Sequence, residues 1–168
     1  MWIDNDGIEQ EDIFRCFWYF RQFEEDFPAL LREEVIKRIA YNHYEWTKNE
    51  TSLAVYFRWL ADTAKRRPSI PGGLWGPIET VFMVNSQALS NMASRYGDPQ
   101  KRDKYKPFMN IKKIVLKHRE EIDKQEEQKR KDRKTFSAIK TLIDETNGDN
   151  IKEIRAVLEK IKTVFSVM

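Results

Sequence analysis

A chain of 168 residues, 40% hydrophobic and 34% charged, has the length for one packed core or one core with an appendage. Its 10 Phe, 6 Tyr and 5 Trp exclude a disordered polyelectrolyte, and its single cysteine, Cys16, excludes an internal disulfide. No apolar run approaches the ~20 residues that cross a membrane, and the first residues lack the basic-then-apolar pattern of a leader, so a cytoplasmic protein without membrane contact is expected.

The net charge of +3 is an average over unlike ends: residues 1–64 sum to −6 and residues 65–168 to +9. Residues 101–134 carry 14 Lys or Arg against 7 Asp or Glu, a density that attracts nucleic acid or, with acids interleaved, forms a solvated helix paired at i,i+4.

In chain order, Ile13, Phe14, Phe17, Trp18, Phe20 and Phe23 recur three and four apart and predict a helix over about 9–26. Pro28 suits the first position of a second helix that runs to about residue 48 and buries Leu31, Val35, Ile36, Ile39, Ala40 and His43. Asn49 or Thr51 caps a third, carrying Leu53, Tyr56, Phe57, Trp59, Leu60 and Ala64 and ending before Pro68. Residues 68–76 read as a loop whose Leu74 and Trp75 return to the aromatic core. A short helix from Pro77 to about Met83 precedes one over 86–96, with Gly97 as a left-handed cap. Residues 98–107 read as a linker, and Asn110 as the cap of a helix lined by Ile111, Ile114, Val115, His118 and Ile122. Residues 123–135 contain nothing apolar and either continue as an exposed helix or fray. Phe136, Ile139, Leu142 and Ile143 resume the stripe, Asn147 and Gly148 turn the chain, and Ile151, Ile154, Leu158, Ile161, Phe165 and Met168 form a heptad-spaced seam. The expected fold is all-α without strands: an aromatic-rich helical domain over 1–97, a linker and basic helix over 98–134, and a helical hairpin over 135–168.

Little in the chain points to catalysis. His43 and His118 lack partners at zinc or di-iron spacing; His43 is assigned to the core and His118 to a helix face. The 144–155 window fails as a calcium loop, because Gly148 falls one place early and Arg155 stands where a bidentate Glu is needed. Pro71-Gly72-Gly73 lacks the Lys-Ser/Thr of a phosphate loop, and Cys16 lies among aromatics that disfavour a thiolate. Asn49-Glu50-Thr51 matches a glycosylation triplet but is better used as a helix cap. No enzymatic activity, metal or cofactor is expected.

Ile78 and Phe82 on one short helix, Val84 in the turn, and Leu89 and Met92 on the next have the apolar offsets of two helices crossing steeply, with Asn85 positioned to cap the second. Residues 78–92 thus resemble the helix-turn-helix motif of DNA-binding regulators. Glu79 stands where that motif carries a small residue, and Met83 where its turn favours Gly for positive φ, at roughly 1 kcal/mol for a non-Gly residue. The resemblance implies a recognition face of Ser86, Gln87, Ser90, Asn91 and Arg95, in which Gln and Asn suit adenine and Arg suits guanine. Lys65, Arg66 and Arg67 before it, and Lys101, Arg102, Lys104 and Lys106 after it, would supply phosphate contacts. The expected partner is duplex DNA, in a regulatory or mobile-element setting. The alternative is a protein-interaction module in which the acidic aromatic domain or the 151–168 seam docks a partner helix or a second copy.

Overall fold

The computed structural model describes residues 21–64, 74–144, 155–156 and 158–160. Residues 9–20 of the helix expected over 9–26, Cys16, the basic run Lys65, Arg66 and Arg67, and most of the 151–168 seam lie outside them. The chain divides into two compact units, residues 1–119 and 120–168.

In the first unit, α1 (Arg21–Arg32) passes straight through Pro28 instead of breaking there. Proline removes one helical hydrogen bond and crowds the preceding turn, at about 3 kcal/mol. Against that, Phe23, Asp26, Phe27 and Leu30 recur at helical spacing on one fully or nearly buried face, so interrupting the helix would lose the whole face. The helix stops at Arg32 in a Schellman turn. Glu34 takes left-handed φ 51°, its N–H donates to the Leu31 carbonyl, the Val35 N–H donates to the Leu30 carbonyl at 2.8 Å, and Val35 and Leu30 are both fully buried.

The expected helix over 28–48 is therefore replaced beyond Val35 by an antiparallel hairpin, β1 (Ile36–Ala40) and β2 (His43–Trp46). Ile36 faces Trp46, Lys37 faces Glu45 and Arg38 faces Tyr44, with a register shift before Ala40 pairs with His43. Tyr44 and Trp46 point inward with Glu45 exposed between them, a period of two that a helix cannot produce. Ile39 is 54% exposed, so the three- and four-residue spacing that suggests a helix here marks no buried face. His43 is half-buried rather than core; its Nδ1 lies 2.7 Å from the Tyr41 carbonyl oxygen, which can only accept, so that nitrogen carries the hydrogen. Among the described residues the fold is thus mostly helical, so the all-α expectation holds in outline, with a small two-stranded sheet that it did not include.

The centre of the unit is α2 (Glu50–Thr63), capped as expected by Asn49, whose side chain accepts from the Ser52 N–H at 2.8 Å. Residues 52–57, Trp59 and Leu60 are all buried, so this helix is enclosed nearly all round. Tyr56 packs against Phe23, Trp46, Phe57 and Trp59, and the Trp46 indole N–H donates to the Ser52 hydroxyl at 2.9 Å, joining the hairpin to the start of α2. Leu74 and Trp75 pack half-buried on this core as expected, although Trp75 already opens the next helix instead of lying in the loop.

Next come α3 (Trp75–Phe82), α4 (Ser86–Arg95), α5 (Pro99–Arg102) and α6 (Lys106–Asp144). Gly97 is not left-handed; Tyr96 closes α4 at φ −115°. The expected linker is instead a capped helical turn: the Asp98 carboxylate accepts from the Gln100 N–H at 2.8 Å, Pro99 occupies the first turn, and Arg102 is 5% exposed. Asn110 is interior to α6, which starts at Lys106 so that Phe108, Ile111 and Val115 are all buried. The end of α6 within this unit is anchored by charge. Arg119 donates from Nε to Asp26 Oδ1 at 2.7 Å and from Nη2 to Oδ2 at 2.6 Å; the Tyr56 hydroxyl donates to the same Oδ2 at 2.7 Å; and the guanidinium lies 5.2 Å from the Trp59 ring centroid. Asp26 is wholly buried, so only this pairing makes its charge tolerable.

In the second unit the apolar-free stretch 123–135 is helical and exposed apart from Asp132 and Thr135, which are half-buried. Gln128 donates to Asp132 and Lys131 pairs with Glu127, each across one helical turn. Residues 155–156 and 158–160 are also helical. The turn at Asn147 and Gly148, and with it the hairpin, lies outside the described residues.

Candidate functional site

The segment that resembles a helix-turn-helix forms two helices joined by a three-residue turn. α4 packs on α2, and α3 packs on β2 and α4, with Phe82 meeting Trp46 and Phe57: Ile78, Val81 and Phe82 from α3 are buried, and so are Leu89 and Ala93 from α4, with Val84 and Met92 half-buried beside them. Met83 adopts φ 53° and ψ 40°, the left-handed conformation that the turn requires, with its side chain 69% exposed. Asn85 then caps α4, its side-chain oxygen accepting from the Ala88 N–H at 2.9 Å. Glu79, half-buried on α3, has no hydrogen-bond or ion-pair partner among the described residues.

Leu89 and Ala93 turn one side of α4 inward, which leaves Gln87, Asn91 and Arg95, each four residues from the next, on an exposed line. Gln87 Nε2 donates to Asn91 Oδ1 at 3.3 Å. Ser86 and Ser90 are half-buried at the edge of that line.

The cations proposed for phosphate contact separate into two groups. Arg102 turns inward: its Nη1 donates to Asp62 Oδ2 at 2.7 Å, and Asp62 also pairs with Arg58 at 3.1 Å. It serves the core edge and cannot reach a ligand. Lys101 and Lys104, by contrast, converge with Arg95 on one open hollow of about 410 Å³, completed by Thr51, Met92 and Tyr96. Lys106 is exposed and lines a second hollow of about 320 Å³ with Lys48, Asn49 and apolar residues of α6. The sequence separation of Thr51, Arg95 and Lys104 hides the first hollow from any linear motif. Tyr105 supports it from behind, stacked on Tyr96 at 4.8 Å between ring centroids and donating its hydroxyl to Asn49 Oδ1 at 2.6 Å. Burial, followed by the neighbouring Tyr96, pushes the Tyr105 hydroxyl above its ordinary value despite that hydrogen bond, so it stays a neutral donor.

Elsewhere, no group of three or more His, Cys, Asp and Glu side chains gathers among the described residues, and His118 is half-buried on α6 with both ring nitrogens enclosed and unpartnered. No described helix is long and apolar enough to cross a membrane. Compared with protein-family models, curated proteins and solved structures, the chain matches none.

Proposed function

We propose that this protein is a non-enzymatic binder of duplex DNA, with α4 as the element that enters the major groove. The observation that carries the reading is the exposed line Gln87, Asn91 and Arg95 on a helix whose opposite side is held in the core and whose entry is set by a left-handed turn residue and an Asn cap. A helix held this way presents amide side chains rigidly, and Gln and Asn match the paired acceptor and donor on the adenine edge. Arg95, Lys101 and Lys104 lie at one end of that helix, where backbone phosphates would flank the groove.

The test is a mobility-shift titration of the full chain on random-sequence and selected duplexes over a range of salt. Affinity falls steeply as salt rises, because the bound cations release counterions from the duplex. Gln87→Ala relaxes the sequence preference by about 1–3 kcal/mol at the position it reads, and Arg95→Glu weakens all duplexes alike. Undetectable or salt-insensitive binding refutes the proposal.

A further inference from the structure

We infer that the hollow lined by Thr51, Arg95, Lys101 and Lys104 is a phosphate-binding site with room for the sugar attached to the phosphate. Taken as a contact to the backbone of duplex DNA, it rests on the function proposed above; the chemistry itself, a phosphate ester on a sugar, is shared with a free sugar phosphate.

Of the acids near the hollow, Asp98 accepts from the Gln100 N–H, Asp103 pairs with Lys112 at 2.8 Å and Asp62 pairs with Arg58 and Arg102, while Glu50, exposed beside Thr51, does not line it. Among the described residues, Arg95, Lys101 and Lys104 are therefore left without an ion-pair partner, and no acid lines the space that they share. Three like charges gathered round one open hollow repel one another, and an anion there relieves the repulsion. Arg95 in the last turn of α4 and Lys101 in the last turn of α5 each complement a helix C-terminus, but that effect acts on each cation singly and does not require them to converge. The other walls suit the rest of the ligand. Thr51, whose hydroxyl hydrogen-bonds Tyr105, fixes the rim at the first turn of α2, and Tyr96, braced by Tyr105, offers an aromatic surface to a sugar. About 410 Å³ exceeds what one phosphate occupies and matches a small ligand or a short piece of backbone.

The test compares the full chain with Lys101→Ala/Lys104→Ala and with a charge-matched control, Lys113→Ala/Lys124→Ala, in two arms. In the DNA arm, the slope of log affinity against log salt becomes shallower by about 1 to 2 in the hollow variant and less so in the control, since each neutralised phosphate contributes about 0.9. In the second arm, ribose 5-phosphate is added to 15N-labelled protein; the amide resonances of Thr51, Arg95 and Tyr96 shift in the wild type and the control but not in the hollow variant. DNA binding whose slope is the same in the hollow variant and the wild type, with no sugar-phosphate shifts, overturns the hollow and leaves the α4 reading standing; the same slope with shifts that depend on Lys101 and Lys104 overturns only the contact to the DNA backbone. No DNA binding, together with sugar-phosphate shifts that depend on Lys101 and Lys104, overturns the DNA reading and supports the hollow as a site for a free phosphate ester. Silence in both arms overturns both.

Discussion

Replacing Asp26 by Asn tests how the first unit is held together. Asp26 has no exposed surface, and both carboxylate oxygens are engaged, by Arg119 at 2.7 and 2.6 Å and by Tyr56 at 2.7 Å. The substitution keeps the shape, removes the charge and puts an NH2 where one of two donors needs an acceptor. Removing one partner of a buried ion pair costs about 3–5 kcal/mol; the Arg119 side chain retains 22% exposure and some hydration, which puts Asp26→Asn near the lower end, about 3 kcal/mol. Arg119→Met strands a carboxylate with no exposure at all and costs more, nearer 5 kcal/mol. Because each single change strands what the other removes, the double variant is less destabilised than the two losses added, with a coupling of at least about 2 kcal/mol. Urea unfolding followed by tryptophan fluorescence reads this directly, since Trp59 lies against Arg119; a slope of 1–3 kcal/mol per molar turns 3 kcal/mol into a midpoint shift of at least about 1 M. Additive losses, with coupling below about 0.5 kcal/mol, would show that the cluster is not an energetic unit and that apolar packing alone anchors α6.

Two further predictions follow from the same geometry. Tyr56 is held well above the ordinary tyrosine value, first by burial, then by the charge of Asp26 and the hydrogen bond to it, with Arg119 pulling the other way. Above about pH 10 the unfolded chain therefore releases a proton that the folded chain keeps, so the stabilisation is complete below pH 10 and declines as pH rises, by up to about 1.4 kcal/mol per pH unit from this group. Urea midpoints from pH 8 to 11 should fall less steeply in Tyr56→Phe, and an unchanged slope would remove Tyr56 from the account. Met83→Gly should raise the melting temperature by the equivalent of about 1 kcal/mol, because glycine relieves φ 53° and a side chain 69% exposed loses little packing; a lower melting temperature would show that Met83 contributes through contact instead.

Where the determining interaction spans only a few residues, the sequence alone decided the outcome. Asn49 and Asn85 cap their helices through N–H groups three residues ahead, and the turn at Met83 needs positive φ whatever surrounds it. The core helix over 50–63 was legible because its apolar positions leave almost no polar face. Tertiary structure decided the rest. Residues 35–43 satisfy a helical spacing on paper, but Tyr44 and Trp46 bury on alternate positions, and that packing selects a hairpin. Pro28 stays within α1 because Asp26 is tied to Tyr56 and Arg119, and Phe27 to Tyr44, all far along the sequence, while Leu30 is buried in the same core, an advantage that no local propensity contains. The candidate site divides in the same way. The exposed line on α4 follows from periodicity, whereas the fate of neighbouring cations does not: Arg102 is captured by Asp62, forty residues earlier, while Lys101 and Lys104 stay free to meet Arg95. Local chemistry set the caps and the turn, and the long-range placement of opposite charges determined which basic residues remain available to an anion.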